Sequence, residues 1–174
     1  MDEKTRTVRA EDRLDGAWQP RVGVGVLLVD QYRRVLLTLR KLPPEAGCWS
    51  IVGGKLDYLE KLEDCAVREA FEEVGLRIAI DALLCVTDHL LPTEGQHWVS
   101  PAYLGRILAG EVRNCEPEKL RDVRWFPYVA LPSTLTMTAR NAIAAYWQKV
   151  GRVGEDGRGK LPGTHDGGGK RKGR

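Results

Sequence analysis

No apolar run in the 174-residue chain reaches membrane-spanning length, no segment repeats, and no two cysteines form a C-x-x-C pair. The first absence excludes a transmembrane helix, and the second excludes solenoids and propellers. Cys48, Cys65, Cys85 and Cys115 stand singly, without a histidine at zinc-finger spacing. Zinc ribbons and thioredoxin-like redox motifs are therefore excluded, and reduced, mostly buried thiols in a cytoplasmic protein are expected. Residues 1–17 mix both charge signs and lack the apolar stretch of a signal peptide or membrane anchor, so they read as a flexible N-terminal segment.

Strong charge is also missing from the part expected to fold. The net charge is +3, but residues 151–174 hold seven Lys or Arg against three acidic residues, so they carry 7 − 3 = +4. Residues 1–150 are left at 3 − 4 = −1. A nearly neutral body does not call for a specific nucleic-acid partner. The 151–174 segment has nine glycines and almost nothing apolar, a composition that cannot offset the entropy of ordering the chain. It reads as a disordered basic tail, leaving 18–150 as one domain.

Within that domain, Val22–Val29 and Val35–Leu39 are short β-type runs around a turn at Asp30–Arg33, the pattern of a hairpin. A Pro/Gly loop at Leu42–Gly47 leads to a short strand at Cys48–Val52, which the spacing ends at Gly53-Gly54. Residues 61–74 contain good helix formers without Gly or Pro, and Gly75 supplies a left-handed stop. Further strands are predicted at 77–80, 83–89, 97–108 and 123–126. Pro101 demands a bulge or a sheet edge in the third of these. Apolar residues from Leu135 to Trp147 recur at helical spacing and predict a closing helix over 134–149. The order β-β-β-α-β-β-β-β-α gives an α+β or mixed α/β/α domain.

The chemistry concentrates on the first helix. At about 100° per residue, Glu69, Glu72 and Glu73 share an arc of about 100°. Ala66, Ala70 and Val74, with Val67 and Phe71 beside them, cover a neighbouring arc suited to packing on the sheet. Like charges at these spacings repel by a few tenths of a kcal/mol per pair, and a cation reverses that sign. Clustered carboxylates suit a hard divalent ion, and Mg²⁺ keeps waters and substrate phosphate oxygens among its ligands. Arg68 adjoins Glu69 and reaches Glu72 at i+4, where it can orient a carboxylate. Gly53 and Gly54 are turn residues that also admit close approach of a phosphate.

The stretch GKLDYLEKLEDCAVREAFEEVGL, Gly54 to Leu76, resembles the Nudix box, G-x5-E-x7-R-E-U-x-E-E-x-G-U with U apolar. Gly54, Glu60, Arg68, Glu69, Glu72, Glu73 and Gly75 match every fixed position. At residue frequencies of about 7%, chance gives seven such matches roughly once in 10⁸ starts. The flanks extend the resemblance over about 20–148. Trp49-Ser-Ile-Val-Gly-Gly54 resembles W-x-x-P-G-G with Val52 in place of proline, and the segments 116–119 and 123–126 resemble the loop and strand that follow the box in triphosphate-cleaving members.

The resemblance implies a Nudix-like α/β/α sandwich with a mixed sheet, a catalytic loop-helix-loop at about 54–76 and a C-terminal helix. It implies Glu69 and Glu73 as principal metal ligands, Glu72 as ligand or water-activating base, and Arg68 as their orienter. The carbonyl of Gly54, or of Gly53, is a further metal contact. Glu60 supports the loop. A later carboxylate joins the site, with Glu118 the first candidate, on the metal or substrate side, and Glu116 the second.

The implied activity is Mg²⁺-dependent cleavage of a nucleoside diphosphate linked to a group X, with Mn²⁺ as a substitute ion. A nucleoside or deoxynucleoside triphosphate, giving monophosphate and pyrophosphate, leads. ADP-ribose or a nucleotide sugar is the alternative within the enzyme class, and a non-catalytic nucleotide sensor is the alternative outside it. The expected partner is a small nucleotide rather than a membrane, and a homodimer is left open. His97 reads as structural before functional. Trp49, Trp98 and Trp125 are all candidates to stack on a base, although each lies in a predicted strand where core packing is the commoner use. The G-x-G at 23–25 lies inside a strand and opens no helix, so it is not a dinucleotide fingerprint.

Overall fold

In a computed structural model, residues 19–155 are described. The expectations for residues 1–17 and for most of the basic tail lie outside them. Seven strands, β1 (Arg21–Leu28), β2 (Arg34–Arg40), β3 (Trp49–Ser50), β4 (Val52–Lys55), β5 (Arg77–Leu91), β6 (Gln96–Ala109) and β7 (Leu120–Pro127), accompany two α-helices, α1 (Leu62–Val74) and α2 (Met137–Glu155). One sheet runs β4-β1-β6-β5 and the other β3-β2-β7. The first is mixed, because β1 is parallel to β6 while the β1–β4 and β5–β6 pairs are antiparallel.

Alternation along the strands builds the layers. Val24, Val26 and Leu28 of β1 and Leu36 of β2 point to a core shared with Cys65, Ala66, Ala70 and Val74 of α1. Their neighbours Leu27, Val35 and Leu37 point to a second core with Ala139, Ala142 and Ile143 of α2. The sheets thus lie between the two helices, in the α/β/α sandwich that the Gly54–Leu76 resemblance implies. No helix of the described residues is long and apolar enough to cross a membrane.

Several boundaries differ from the sequence expectation. The turn at Asp30–Arg33 forms, with Asp30 Oδ1 accepting from the amides of Tyr32 and Arg34 at 2.9 and 2.8 Å. It does not make a hairpin: after one bridge, Val29 to Val35, β1 and β2 diverge into different sheets. Both edges of β1 are already taken by β4 and β6. The strands predicted at 77–80 and 83–89 are one strand whose register shifts at Ile80/Ala82 and Leu83/Cys85. Pro101 sits in an interior strand rather than at an edge; β1 pairs with β6 on either side of it, at Val22 with Val99 and at Gly25 with Ala102. Gly53 and Gly54 lie inside β4 instead of ending a strand.

Both helices are shifted at their ends. Gly75 has φ 72° and caps α1, its amide bonding Phe71 O and that of Leu76 bonding Ala70 O. Helix α2 starts three residues later than predicted, because 134–136 run alongside Trp49 as an extended segment: Trp49 N donates to Thr134 O and Thr136 N to Trp49 O. Thr136 then caps the helix through its hydroxyl, which accepts from Ala139 N at 3.2 Å. The helix continues to Glu155, past the boundary placed at 150.

Candidate active site

The buried face of α1 includes the Ala66, Ala70 and Val74 arc that apolar periodicity selects but is rotated away from the Val67 and Phe71 placed beside it. Cys65, Ala66, Glu69, Ala70, Glu73 and Val74 are inside, whereas Val67 and Phe71 face outward, Phe71 at 57% exposure. Two carboxylates are therefore turned toward the sheet, with Glu69 8% and Glu73 7% exposed. Glu72 stays at the surface with nearly half of its side chain accessible.

Strand β4 receives these carboxylates because it has glycine where they arrive. Glu69 lies against Gly54, so a Cβ there would collide with its carboxylate. A Cβ on Gly53, whose φ is 153°, would collide with the Val24 carbonyl. The Gly53 amide donates to Glu73 Oε2 at 3.1 Å. The Gly-Gly pair thus acts less as a turn than as a gap through which a helix approaches a strand.

Arg68 organises the other side. Its Nε and Nη2 form a fork on the two oxygens of Glu60, at 2.8 and 2.9 Å, while Nη1 donates to Glu69 at 2.8 Å and to Glu72 at 2.9 Å. Glu60 Oε2 also accepts the Asp57 amide at 3.1 Å, which ties down the loop before the helix. Charge-assisted forks of this kind fix direction as well as energy. Arg68 therefore holds Glu69 and Glu72 in place and is itself held by Glu60.

The environment separates the carboxyls. The Arg68 guanidinium holds Glu60 down at about 2. Burial pushes Glu73 up to about 8, against the Gly53 hydrogen bond and with Glu69 and Glu116 adding negative charge. Burial also raises Glu69, in spite of Arg68. Glu116, rather than Glu118, is the later carboxylate that the fold brings here: it acts on both Glu69 and Glu73, while Glu118 points to solvent. One Glu116 oxygen takes Lys119 Nζ at 2.7 Å and the other is buried without a hydrogen-bond partner. The sequence reading put Glu118 first; the loop, with Asn114 Oδ1 accepting the Glu116 amide at 3.1 Å, turns Glu116 inward instead.

Among the described residues, no three acidic, histidine or cysteine side chains form a ready-made metal cage. Arg68 occupies Glu69 and Glu72, and the Gly53 amide occupies one Glu73 oxygen. The donor set nevertheless fits a hard divalent cation. Glu69 and Glu73 are oxygen donors whose burial makes negative charge costly, and Glu116 adds a buried oxygen in need of a partner. An ion that keeps several waters needs no more protein ligands than these.

On the α2 side of the same glycines lies a cleft of about 370 Å³. Its floor is β1 at Gly23–Gly25, and its walls include Arg21, Arg40, Glu45, Lys55, His89 and Trp98. Glu69 and Glu73 do not line it; Gly53 and Gly54 join the two. Glycine makes the floor: a Cβ on Gly25 would come within 2.5 Å of Ile51 Cδ1, and one on Gly23 within 3.4 Å of Trp98. The G-x-G in a strand, where glycine is disfavoured, was the available signal for this cleft. Of the three candidate tryptophans, Trp98 faces the cleft, with Arg21 5.5 Å above its ring. Trp49 packs edge-on against Phe126 at 4.7 Å, and Trp125 packs against the α1 core. His97 is absent from the cleft lining, whereas His89, which periodicity did not single out, is part of it.

A family profile described as NUDIX domain matches residues 19–146. The chain is 45% identical to a MutT NUDIX hydrolase from Burkholderia pseudomallei, whose crystal structure aligns with a TM-score of 0.68 over 73% of this chain and 98% of that one. It is 29% identical over 154 residues to the MutT4 protein of Mycobacterium tuberculosis, covering 87% of this chain and 57% of that protein. It is also 29% identical over 105 residues to an ADP-ribose pyrophosphatase of Methanocaldococcus jannaschii, covering 60% of this chain and 61% of that protein. The chain thus spans less than two thirds of the length of these curated relatives.

Proposed function

The chain belongs to the Nudix family, and we propose that it hydrolyses the diphosphate linkage of a nucleoside diphosphate bonded to a group X. A nucleoside or deoxynucleoside triphosphate, cleaved to monophosphate and pyrophosphate, is the leading substrate. The observation that carries this reading is the joining, at Gly53-Gly54, of a buried carboxylate pair to a nucleotide-sized cleft lined by Arg21, Arg40 and Lys55.

Glu69 and Glu73 are the residues to hold Mg²⁺, with Glu116 the third donor and the Gly54 carbonyl a backbone one. When bound, the ion supplies neutralisation of phosphate charge and a more acidic water. The rest is the work of this chain's own groups. Arg68 keeps Glu69 and Glu72 at fixed directions, so that little reorganisation is required when substrate arrives. Glu72, open to solvent, is placed to take a proton from the attacking water. Arg40 lines the cleft, its charge favours the ionised form of Glu73, and its Nε is anchored on Pro44 O at 2.8 Å. It is positioned to bind a phosphate rather than to swing freely. Trp98 offers the ring face for the base.

The test is turnover. With Mg²⁺ and a panel of nucleoside triphosphates, ADP-ribose, nucleotide sugars and dinucleoside polyphosphates, the triphosphates are expected to give monophosphate and pyrophosphate by chromatography. Cleavage of ADP-ribose alone would select the reading that the Methanocaldococcus relative's name favours. Binding without turnover on every class would make the protein a sensor.

A further inference from the structure

Besides Arg68, the carboxylates have a second cation, which the diphosphate chemistry does not use. Lys119 Nζ donates to Glu116 Oε1 at 2.7 Å. The amides of Arg113 and Cys115 bond Val74 O and Glu73 O at 3.2 and 3.0 Å, which lays this segment along the end of α1. Glu116 is thereby brought to the buried pair, and its charge acts on both members. The amides of Lys119 and Leu120 then bond Glu116 O, at 2.9 and 2.8 Å, and Lys41 N bonds Lys119 O at 2.8 Å. The backbone of Lys119 is thus fastened just past the end of β2.

Its side chain is not. It is 55% exposed, against 17% for Glu116 and 28% for Arg68. Arg68 is committed to Glu60, Glu69 and Glu72 through all three of its guanidinium nitrogens. The Lys119 ammonium has three N–H donors and, among the described residues, one acceptor. A guanidinium in such a fork is fixed, whereas an ammonium on a four-carbon stem is a compact charge that can change partners. The charges of Glu69 and Glu73 act on it as well.

The consequence is a competition for Glu116. One of its oxygens is neutralised by Lys119, and the other is buried without a partner. A divalent ion at Glu69, Glu73 and Glu116 draws on that same carboxylate, and a cation already there opposes a second. The phosphates of a nucleotide offer the ammonium acceptors of equal strength.

We propose that Lys119 is an exchangeable counter-cation, which neutralises Glu116 while no divalent ion is held and passes to a phosphate of the nucleotide when one is. In the first state it sets the charge of the site; in the second it binds substrate. The proposal rests on the metal reading of the site but not on turnover. Its test is therefore binding, by calorimetric titration of the full chain. With Mg²⁺ alone, K119M is expected to bind about threefold to tenfold more tightly than the unsubstituted protein, because a positive charge has left the site. K119R, which keeps the charge, is expected to stay within about threefold. At saturating Mg²⁺, titration with imidodiphosphate, a diphosphate analogue with neither a base nor a scissile P–O–P bond, is expected to reverse the order. K119M there loses about tenfold, and K119R keeps most of the affinity. A lysine that merely held Glu116 in its direction would give the other sign for Mg²⁺ alone, since its loss would loosen a ligand. Circular dichroism checks that both variants are folded. Mg²⁺ affinity unchanged or weaker in folded K119M, or imidodiphosphate binding that is absent or unchanged, would overturn the proposal. No Mg²⁺ binding by the unsubstituted chain would sink the metal reading and this proposal together. The expected shifts without turnover of any nucleotide would sink the hydrolase reading alone.

Discussion

Two glutamates thirteen residues apart on the same signature, Glu60 and Glu73, have opposite fates. Glu60 meets the forked guanidinium of Arg68 and is held near 2, whereas Glu73 meets apolar core, one backbone amide and two other carboxylates and is pushed to about 8. The difference teaches where the working charge is stored. The Asp57–Glu60 end of the site is electrostatically complete. At the Gly53–Glu73–Glu116 end the protein does not compensate a charge on Glu73, so ionising it is costly, and that cost is what a cation would relieve.

The largest test of this contrast removes the uncompensated carboxyl. E73Q is expected to lower kcat by about 10³-fold or more while leaving thermal stability at neutral pH nearly unchanged, since a buried carboxyl that holds its proton there is traded for a neutral amide. Near-normal turnover in E73Q would break the comparison. At the complete end, R68Q strips three carboxylates of their shared cation. It is expected to cost about a hundredfold in kcat and, unlike E73Q, to lower Tm by a few degrees. Calorimetry of the two variants side by side checks the difference.

The pH dependence separates the two ends without chemistry. For Glu73 the folded value lies above the unfolded one, so its contribution to stability is fully present below about 4.5 and is lost as pH rises through about 8. For Glu60 the folded value is depressed, so its contribution is present above about 4.5 and is lost as pH falls toward 2. Denaturant midpoints against pH in metal-free buffer should show both limbs, with E73Q flattening the alkaline limb and E60Q the acid one. The linked expectation is that adding Mg²⁺ at pH 7 in weak buffer releases protons, and that the release shrinks above pH 9. No proton release would mean that Glu73 is already ionised.

Smaller effects sharpen the boundary between site and surroundings. E116Q is expected to weaken Mg²⁺ affinity about tenfold more than E118Q does, because only Glu116 acts on Glu69 and Glu73. Equal effects would return the choice to the ordering that the sequence alone favoured. G25V is expected to raise KM about tenfold with kcat within a few-fold of normal, as the valine fills the cleft floor beside Ile51. A fall in kcat with unchanged KM would place the cleft outside the substrate path.

The Gly54–Leu76 signature by itself determined the family and the residues of the loop and helix, because a helix spaces Arg68, Glu69, Glu72 and Glu73 at intervals that sequence distance encodes directly. The Gly75 cap was legible for the same reason, while the order of periodic segments narrowed the class to α+β or mixed α/β/α and the resemblance of the signature pointed to the α/β/α sandwich. What only the tertiary structure decided depended on contacts between distant parts of the chain. Periodicity assigned Val67 and Phe71 to the inside, but the Gly53-Gly54 gap in β4 draws Glu69 and Glu73 inward instead. Whether β1 and β2 pair depends on which strands already fill the edges of β1, and whether Glu116 or Glu118 joins the site depends on how one loop is pinned. The meeting of Glu45, from a loop before the signature, with His89, on a strand after it, appears in no local pattern. A side chain's own helix or strand sets its direction, but what it faces is set by packing across the whole fold.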